Sequence, residues 1–288
     1  MSSIKNSENA DYGAKYQSYG DLYIYYLEGR VPSVKEFFNR HFIGNWEEDG
    51  FSFLFFSEPA DGLVVKFVEN NAGFKLLDQY HMSYEEWQGG KFSSLQIGRF
   101  LVIPPWEDKK AGFIESGNIK ILLDPGVVFG NGLHPTTQDC MEALELLHSI
   151  DPIKSAMDLG CGTGILALVA CKLGCKKCFA LDFNLLASQT AYNNVKLNNL
   201  AHKILVAQAR AENFVDLPTD LLMANIHYDV MKKLLGSEGF FKKRWFILSG
   251  LLRSQAKDIA DRLQRPGVKI LKKWERDGIW HTFWGKIS

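Results

Sequence analysis

The sequence lacks a long hydrophobic run, an even set of cysteines and a net charge. Its most apolar stretch, around residues 164–171, is far shorter than the roughly 20 apolar residues of a membrane-spanning helix. The polar N-terminus has no apolar signal-peptide region. Five cysteines, an odd number, lie between Cys140 and Cys178, which fits a reducing compartment better than a disulfide framework. We therefore expect a cytoplasmic protein that does not bind membranes.

The chain has 288 residues, 46% of them hydrophobic, which is ample core material for about two domains. Its 33 basic and 33 acidic residues are unevenly placed. Residues 1–110 carry 11 basic and 16 acidic residues, net −5, so residues 111–288 carry 22 and 17, net +5. An acidic first part is compatible with a basic protein partner or with an ordinary solvated surface, and it disfavours DNA binding.

The first part of the chain has the pattern of a small α+β domain at residues 18–105, preceded by a disordered segment at 1–17. Residues 21–29 and 51–56 have strand patterns, 34–42 have helical spacing, and 63–68 also read as a strand. Ser83 to Trp87 read as a helix turn. Residues 106–120 are polar and form a predicted linker.

From residue 121 to 288 the pattern predicts one α/β domain. After Ser155, β-type runs alternate regularly with helical runs, which is typical of a parallel sheet covered by helices on both faces. The last two β-type runs are joined only by residues 275–278, a link too short for a parallel crossover. We therefore expect the sheet to end in an antiparallel hairpin.

A glycine-rich turn, Asp158-Leu-Gly-Cys-Gly-Thr-Gly164, lies between a predicted strand and helix. Its G-x-G-x-G spacing differs from the G-x-G-x-x-G of dinucleotide sites and favours S-adenosylmethionine. Asp182 ends the next strand, where a carboxylate can accept both ribose hydroxyls of a nucleoside. The alternative is that Asp182 only caps the helix that begins near Leu185.

A third polar motif, Ala224-Asn225-Ile226-His227-Tyr228, follows a later strand. The amide oxygen of Asn225 can accept a hydrogen bond from an amine and direct its lone pair toward a sulfonium methyl group. His227 is either a local base or an ordinary surface histidine. Both interpretations stay open from the sequence.

Three cysteines, Cys171, Cys175 and Cys178, have the C-x3-C-x2-C spacing of radical S-adenosylmethionine enzymes, which hold an iron–sulfur cluster. Their predicted position argues against that chemistry. They fall at the end of the sheet opposite to the glycine turn and Asp182. Structural thiols are the preferred interpretation, and we predict no metal site.

With these residues in place, the chain resembles the lysine methyltransferases of ribosomal protein L11, the PrmA family. The strongest signature is D-P-G-V-V-F-G-N-G-L-H-P-T-T at residues 124–137, similar to that family's D-P-G-x-x-F-G-T-G-x-H-P-T-T. The glycine turn, Asp182, A-N-I at 224–226 and L-S-G-L-L at 248–252 follow in the family's order. The resemblance implies a class I methyltransferase domain, α/β and Rossmann-like with seven strands, preceded by a ferredoxin-like domain that recognises the ribosomal protein.

The resemblance also implies roles for individual residues. Catalytic positions would be Asn225 and Thr136, which face the incoming amine. Contacts to S-adenosylmethionine would come from Phe129, Thr137, Asp158, Gly160, Gly162, Asp182 and Asn225. The implied partner is ribosomal protein L11 as substrate. The sequence does not show the oligomeric state, and a monomer is the preferred expectation.

Two departures from the family pattern concern the acceptor side. Asn131 replaces the usual threonine of G-T-G, and His227-Tyr228 replace small or apolar residues. Other readings therefore stay open: a related methyltransferase for another protein or a small amine, a non-catalytic cofactor-binding protein of the ribosome, and a dinucleotide oxidoreductase.

Overall fold

The computed structural model describes residues 19–31, 41–110 and 115–288. The predicted disordered segment 1–17 and nearly all of the predicted helix at 34–42 lie outside these ranges. The chain divides into two units, of which the second comprises Leu95–Val102 and Gly117–Ser288 and the first comprises the rest. Among the described residues, none of the helices has the length and apolar character needed to cross a membrane.

The first unit contains a four-stranded antiparallel sheet in the order β2-β3-β1-β4. This is the strand order of a ferredoxin-like sheet, as predicted. Its strands are β1 (Asp21–Glu28), β2 (Phe42–Glu48), β3 (Phe51–Phe56) and β4 (Lys75–Ser83), and its helices are α1 (Asp61–Asn70) and α2 (Tyr84–Gln88).

The prediction of a strand at residues 63–68 is wrong, because these residues belong to helix α1. Ala60, Leu63, Val64, Phe67 and Val68 are three or four residues apart along one face and contact the core under the sheet. Val64 is fully buried. This helical period is hidden because the exposed Val65 extends the apolar run beyond the buried face, so helix and strand patterns overlap over so short a stretch.

A small three-stranded sheet, in the order β5-β6-β7, precedes the large one. Its strands are β5 (Leu95–Ile97), β6 (Phe100–Ile103) and β7 (Ile119–Leu122). Pro105–Lys110 form a short 3-10 helix at the start of the range predicted as a linker.

The second unit is built on a seven-stranded sheet in the order β10-β9-β8-β11-β12-β14-β13. The first five strands of this order pair in parallel, whereas β14 is antiparallel to both of its neighbours. This confirms the predicted parallel sheet with a terminal antiparallel hairpin. The strands are β8 (Ser155–Leu159), β9 (Lys177–Asp182), β10 (Ile204–Gln208), β11 (Leu221–Asn225), β12 (Trp245–Leu252), β13 (Val268–Arg276) and β14 (Trp280–Ile287).

Helix α3 (Pro135–Ile150) precedes the first of these strands, and four helices connect later ones: α4 (Ile165–Lys172), α5 (Leu185–Leu197), α6 (Tyr228–Gly236) and α7 (Arg253–Arg262). Helix α4 is buried at every position from Ile165 to Cys171. An all-round apolar helix of this kind belongs in the interior. Because this helix is buried, the glycine turn that directly precedes it also lies near the centre of the domain.

Candidate active site

The register of the parallel sheet places three predicted site residues side by side. Leu159 of β8 pairs with Leu181 of β9 on one side and with the residue before Asn225 on the other. The next residue of each strand is Gly160, Asp182 or Asn225. These residues therefore share the carboxyl edge of the sheet, where open α/β sheets bind ligands.

The glycine turn at residues 160–164 needs glycine for conformation and for space. Gly160 and Gly162 have φ values of +70° and +53°, a region that side chains disfavour. A Cβ atom on Gly160 would lie 2.6 Å from Cδ1 of Ile226, and one on Gly162 would lie 2.5 Å from the carbonyl oxygen of Phe129. The turn is thus pressed between two neighbouring segments.

The 124–137 loop, which carries the strongest sequence signature, lies directly on the glycine turn. The backbone N–H of Thr163 donates to the carbonyl of Phe129 over 3.0 Å, and the Thr163 hydroxyl donates to the carbonyl of Gly130 over 2.6 Å. The Phe129 side chain is nevertheless 78% exposed. A large aromatic ring is thereby presented beside the glycine turn.

Two asparagines that sequence reasoning missed hold this arrangement from helix α5. Asn194 is fully buried, accepts the N–H of Asp124 over 2.8 Å, and donates to the carbonyls of Asp124 and Thr163 at 2.9 Å. Asn198, one turn later, pairs in the same way with both backbone groups of Leu122. The available signal was two asparagines four residues apart on the buried face of a helix.

Asp182 is nearly buried, and each carboxylate oxygen accepts one backbone N–H. Oδ2 accepts from Gly162 over 3.0 Å, and Oδ1 accepts from Asn184 over 2.9 Å. Burial raises the pKa of Asp182, although the two N–H donors oppose the shift. The cap of helix α5 is Asn184, which accepts from Leu186, so Asp182 is not the capping residue.

Asp158, a predicted cofactor contact, is only 1% exposed. Its Oδ2 accepts the N–H of Ala167 in helix α4 over 3.1 Å. Burial, opposed by that hydrogen bond and reinforced by the charge of Asp182, raises the pKa of Asp158 to about 7. In this structure Asp158 therefore ties strand β8 to helix α4 beneath the glycine turn.

Thr136 and Asn225 are brought together from opposite ends of the domain. The Nδ2 of Asn225 donates to Oγ1 of Thr136 over 3.2 Å, and that oxygen lies 2.7 Å from Nδ1 of His134. The N-cap residue of α3 is His134, and Pro135 is the first helical residue. Burial lowers the pKa of His134, although the charge of Asp139 opposes this shift. The lowered pKa favours a neutral ring, whose Nδ1 accepts the hydroxyl proton of Thr136.

The remaining predicted or questioned residues differ in exposure. Thr137 is 3% exposed, next to Thr136 in the first turn of α3. The Oδ1 of Asn131 accepts the N–H of Leu133 over 2.9 Å. The side chain of His227 is 75% exposed and lies 3.7 Å from Asp229.

The three cysteines of the C-x3-C-x2-C motif are buried at the end of the sheet away from Asp182. A hydrogen bond with Cys175 lowers the pKa of Cys171, but one with Cys178 and burial raise it to about 12 overall. Such protonated, buried thiols behave as small apolar residues. Within the described part of the chain, no group of three or more His, Cys, Asp or Glu side chains is arranged to hold a metal ion.

The sheet order, the glycine turn, the acid at the end of the neighbouring strand and the terminal antiparallel hairpin together define a class I methyltransferase domain. The family model described as ribosomal protein L11 methyltransferase (PrmA) matches residues 71–287. The chain belongs to this family.

Individual relatives agree with the family match. A ribosomal protein L11 methyltransferase of Cyanothece sp. is 31% identical over 223 residues, covering 75% of this chain and 74% of the relative. One from Desulforamulus reducens is 34% identical over 195 residues, covering 67% of this chain and 61% of the relative. The crystal structure of a ribosomal protein L11 methylase from Lactobacillus delbrueckii subsp. bulgaricus has 28% identity and a TM-score of 0.58, covering 68% of this chain and all of that one.

Proposed function

We propose that this protein transfers methyl groups from S-adenosylmethionine to lysine ε-amines or the N-terminal amine of ribosomal protein L11, acting as a monomer in the cytoplasm. The observation that carries the proposal is the adjacency of Gly160 and Asp182 to the Thr136–Asn225 pair, in a chain of the PrmA family. It joins a nucleoside site to an amine-orienting amide at one edge of the sheet.

The residues present fit S-adenosylmethionine. A carboxylate offers about four acceptor positions, of which Asp182 uses two for the N–H groups of Gly162 and Asn184. Two acceptor positions are left for the two ribose hydroxyls. The exposed ring of Phe129 offers an apolar wall, and Thr137 lies in the adjacent first turn of α3.

S-adenosylmethionine supplies an electrophilic methyl group on a sulfonium centre. The contribution of this chain is to orient the acceptor amine. Because His134 accepts the hydroxyl proton of Thr136, the Thr136 oxygen accepts from the amide nitrogen of Asn225. The amide is thereby fixed, and its Oδ1 is the atom that accepts an N–H of the amine.

Orientation is the main demand of this reaction, since in-line transfer needs a neutral amine whose lone pair points at the methyl group. A lysine ε-amine, with an ordinary pKa of about 10.4, must first lose a proton. His227 is exposed beside Asp229 and does not contact Asn225 or Thr136 through any described hydrogen bond, so we assign proton loss to solvent.

The direct test combines purified protein, methyl-labelled S-adenosylmethionine and purified L11. We expect label on L11, with mass spectrometry locating it on lysine or the N-terminal amine. L11 whose amines have been chemically blocked is the matched control and should take up no label. Label absent from L11 but present on another ribosomal protein would overturn the substrate, and absence of any transfer would favour a non-catalytic binding protein.

A further inference from the structure

A fully buried carboxylate lies one helical turn from the acceptor side and has no role in the chemistry above. Asp139 of helix α3 is 0% exposed. Its Oδ1 accepts from the guanidinium of Arg276, with distances of 2.8 Å to Nε and 2.6 Å to the terminal nitrogen. Arg276 is the last residue of β13, so this ion pair joins α3 to the terminal hairpin.

The other oxygen of Asp139 begins a chain of hydroxyl groups that leads back to the acceptor side. Oδ2 lies 3.3 Å from the hydroxyl of Thr282, which lies 2.5 Å from the hydroxyl of Ser249. An ionised carboxylate only accepts, so Thr282 donates to Asp139 and Ser249 donates to Thr282. Thr282 and Ser249 are both fully buried, so these hydroxyls have no water to exchange with.

Ser249 brings this chain next to the proposed acceptor site. Its single proton goes to Thr282, so its contact with the carbonyl of Thr136, at 3.4 Å, is one of packing and not a hydrogen bond. Ser249 is also the register partner of Asn225 in the parallel pair of β11 and β12. Asp139 of α3, Thr282 of β14 and Ser249 of β12 thus form one buried set of contacts. This set joins helix α3 to the terminal hairpin and to the strand that pairs with Asn225.

We propose that Asp139 is a positioning residue: with Arg276 and the Thr282–Ser249 hydroxyls it fixes the first turn of α3, and so holds Thr136 against Asn225. This inference rests on the proposed function of Asn225. The physical reason is that Asp139 and Thr136 are three residues apart and therefore neighbours on one face of helix α3. A shift of the helix backbone at Asp139 therefore also moves Thr136. Misplacement by about 1 Å costs on the order of 100-fold in rate.

The helix offers a matched control one turn further from the site. Glu142 contacts the same hairpin, through Lys272 at 2.6 Å and the indole N–H of Trp274 at 3.0 Å, but it is 42% exposed. It also lies 3.9 Å from the guanidinium of Arg276, a longer contact than that of Asp139. Asp139→Asn and Glu142→Gln therefore each remove one carboxylate charge between α3 and the hairpin, but only Asp139→Asn alters the group that binds the Thr282 hydroxyl.

The experiment measures kcat, KM for L11 and the affinity for S-adenosylhomocysteine, well below each variant's melting temperature. We expect Asp139→Asn to lower kcat at least about tenfold. Its affinity for S-adenosylhomocysteine should stay within about twofold of that of the wild type. Glu142→Gln should keep wild-type kcat. Equal kcat in both variants, with only the melting temperature lowered in Asp139→Asn, would overturn the inference.

A second pair of variants covers the case in which Asp139→Asn does not fold. Thr282→Val removes the hydroxyl at nearly constant volume, whereas Thr282→Ser keeps it. We expect the valine variant to lose kcat and the serine variant to recover it. Equal kcat in the two would contradict the hydroxyl chain.

Amide hydrogen exchange separates this inference from the proposed function. Asp139→Asn should speed exchange in the first turn of α3 relative to Glu142→Gln, whichever substrate the protein uses. If the wild type fails to methylate L11 but this difference is seen, the proposed substrate fails and the positioning framework stands. If the wild type methylates L11 but exchange in Asp139→Asn equals that in Glu142→Gln, the inference about Asp139 is refuted and the proposed function stands.

Discussion

The side-chain amide of Asn225, at the end of β11, donates to the hydroxyl of Thr136, at the start of α3, over 3.2 Å. These residues are 89 positions apart in the chain, and the fold joins them at one edge of the sheet. The hydrogen bond also settles the direction of the amide, since only its nitrogen can donate. Asn225 thus presents an acceptor oxygen, which is what an attacking amine requires.

The first prediction removes that acceptor. Asn225→Ala should lower kcat for methylation by at least about 100-fold, because the amine loses the group that orients it. Binding of S-adenosylhomocysteine should weaken far less than kcat falls, since Gly160 and Asp182 are intact and Asn225 is only one of the implied cofactor contacts. Steady-state kinetics and calorimetric titration measure the two effects. Asn213→Ala, at an exposed position, is the control, and an Asn225→Ala enzyme of normal kcat would refute the assigned role.

The second prediction concerns the acid at the end of β9. Asp182→Asn should weaken binding of S-adenosylhomocysteine about 10- to 100-fold, because hydrogen bonds to a charged acceptor contribute about 1.5–3 kcal/mol. Asp261→Asn, at an exposed position of helix α7, should bind normally. Calorimetry gives the affinities.

The same protein preparations test the dinucleotide alternative. S-adenosylhomocysteine should raise the melting temperature of the wild type, and NAD or NADP should leave it unchanged. Stabilisation by a dinucleotide alone would exclude the proposed cofactor.

Local sequence patterns predict most of the large sheet. The strands of its centre are short apolar runs, and β8, β9 and β11 are followed by or end in a glycine, an acid and an amide. Strand β10 forms the edge of this sheet, where Leu205 is 55% exposed, so the apolar run at 204–207 does not by itself indicate how deeply a strand is buried. The prediction of a strand in place of helix α1 is wrong because the exposed Val65 fills the gap that marks a helical period.

The candidate site was foreseen in its motifs but not in its supports. Gly160, Asp182 and Asn225 belong to recognisable local patterns, and their adjacency follows from parallel register. Asn194 and Asp139 act through partners 70 and 137 residues away, Asp124 and Arg276. No local pattern encodes such a pairing, so only the fold reveals these two residues.

The third prediction tests the close approach at the glycine turn. Gly162→Ala should lower the free energy of unfolding by at least about 2 kcal/mol, because its φ of +53° disfavours a side chain and the new Cβ would meet the Phe129 carbonyl. Gly62→Ala in helix α1 has nothing within 4 Å of its Cβ position and should stabilise by up to about 1 kcal/mol. Urea unfolding measures both, and equal effects would contradict the argument.

The fourth prediction is a pH dependence that arises from His134. Burial lowers the pKa of this ring from its ordinary value of 6.5, so the folded protein binds fewer protons here than the unfolded chain. The stabilising effect of a neutral His134 is present above about pH 6.5 and is lost as the pH falls through the interval between 6.5 and the lower folded pKa. Protonation also removes the acceptor for the Thr136 hydroxyl.

Two measurements check this sign. The free energy of unfolding of the wild type should decrease from pH 7.5 to pH 5, and His134→Asn should show a smaller decrease, because asparagine is also a good N-cap but does not titrate. Methylation by the wild type should fall over the same interval as Nδ1 becomes a donor and releases Thr136 from its fixed direction. A His134→Asn slope equal to that of the wild type would assign the acid lability to other groups, and the neutral ring would then not be what holds the Thr136–Asn225 pair.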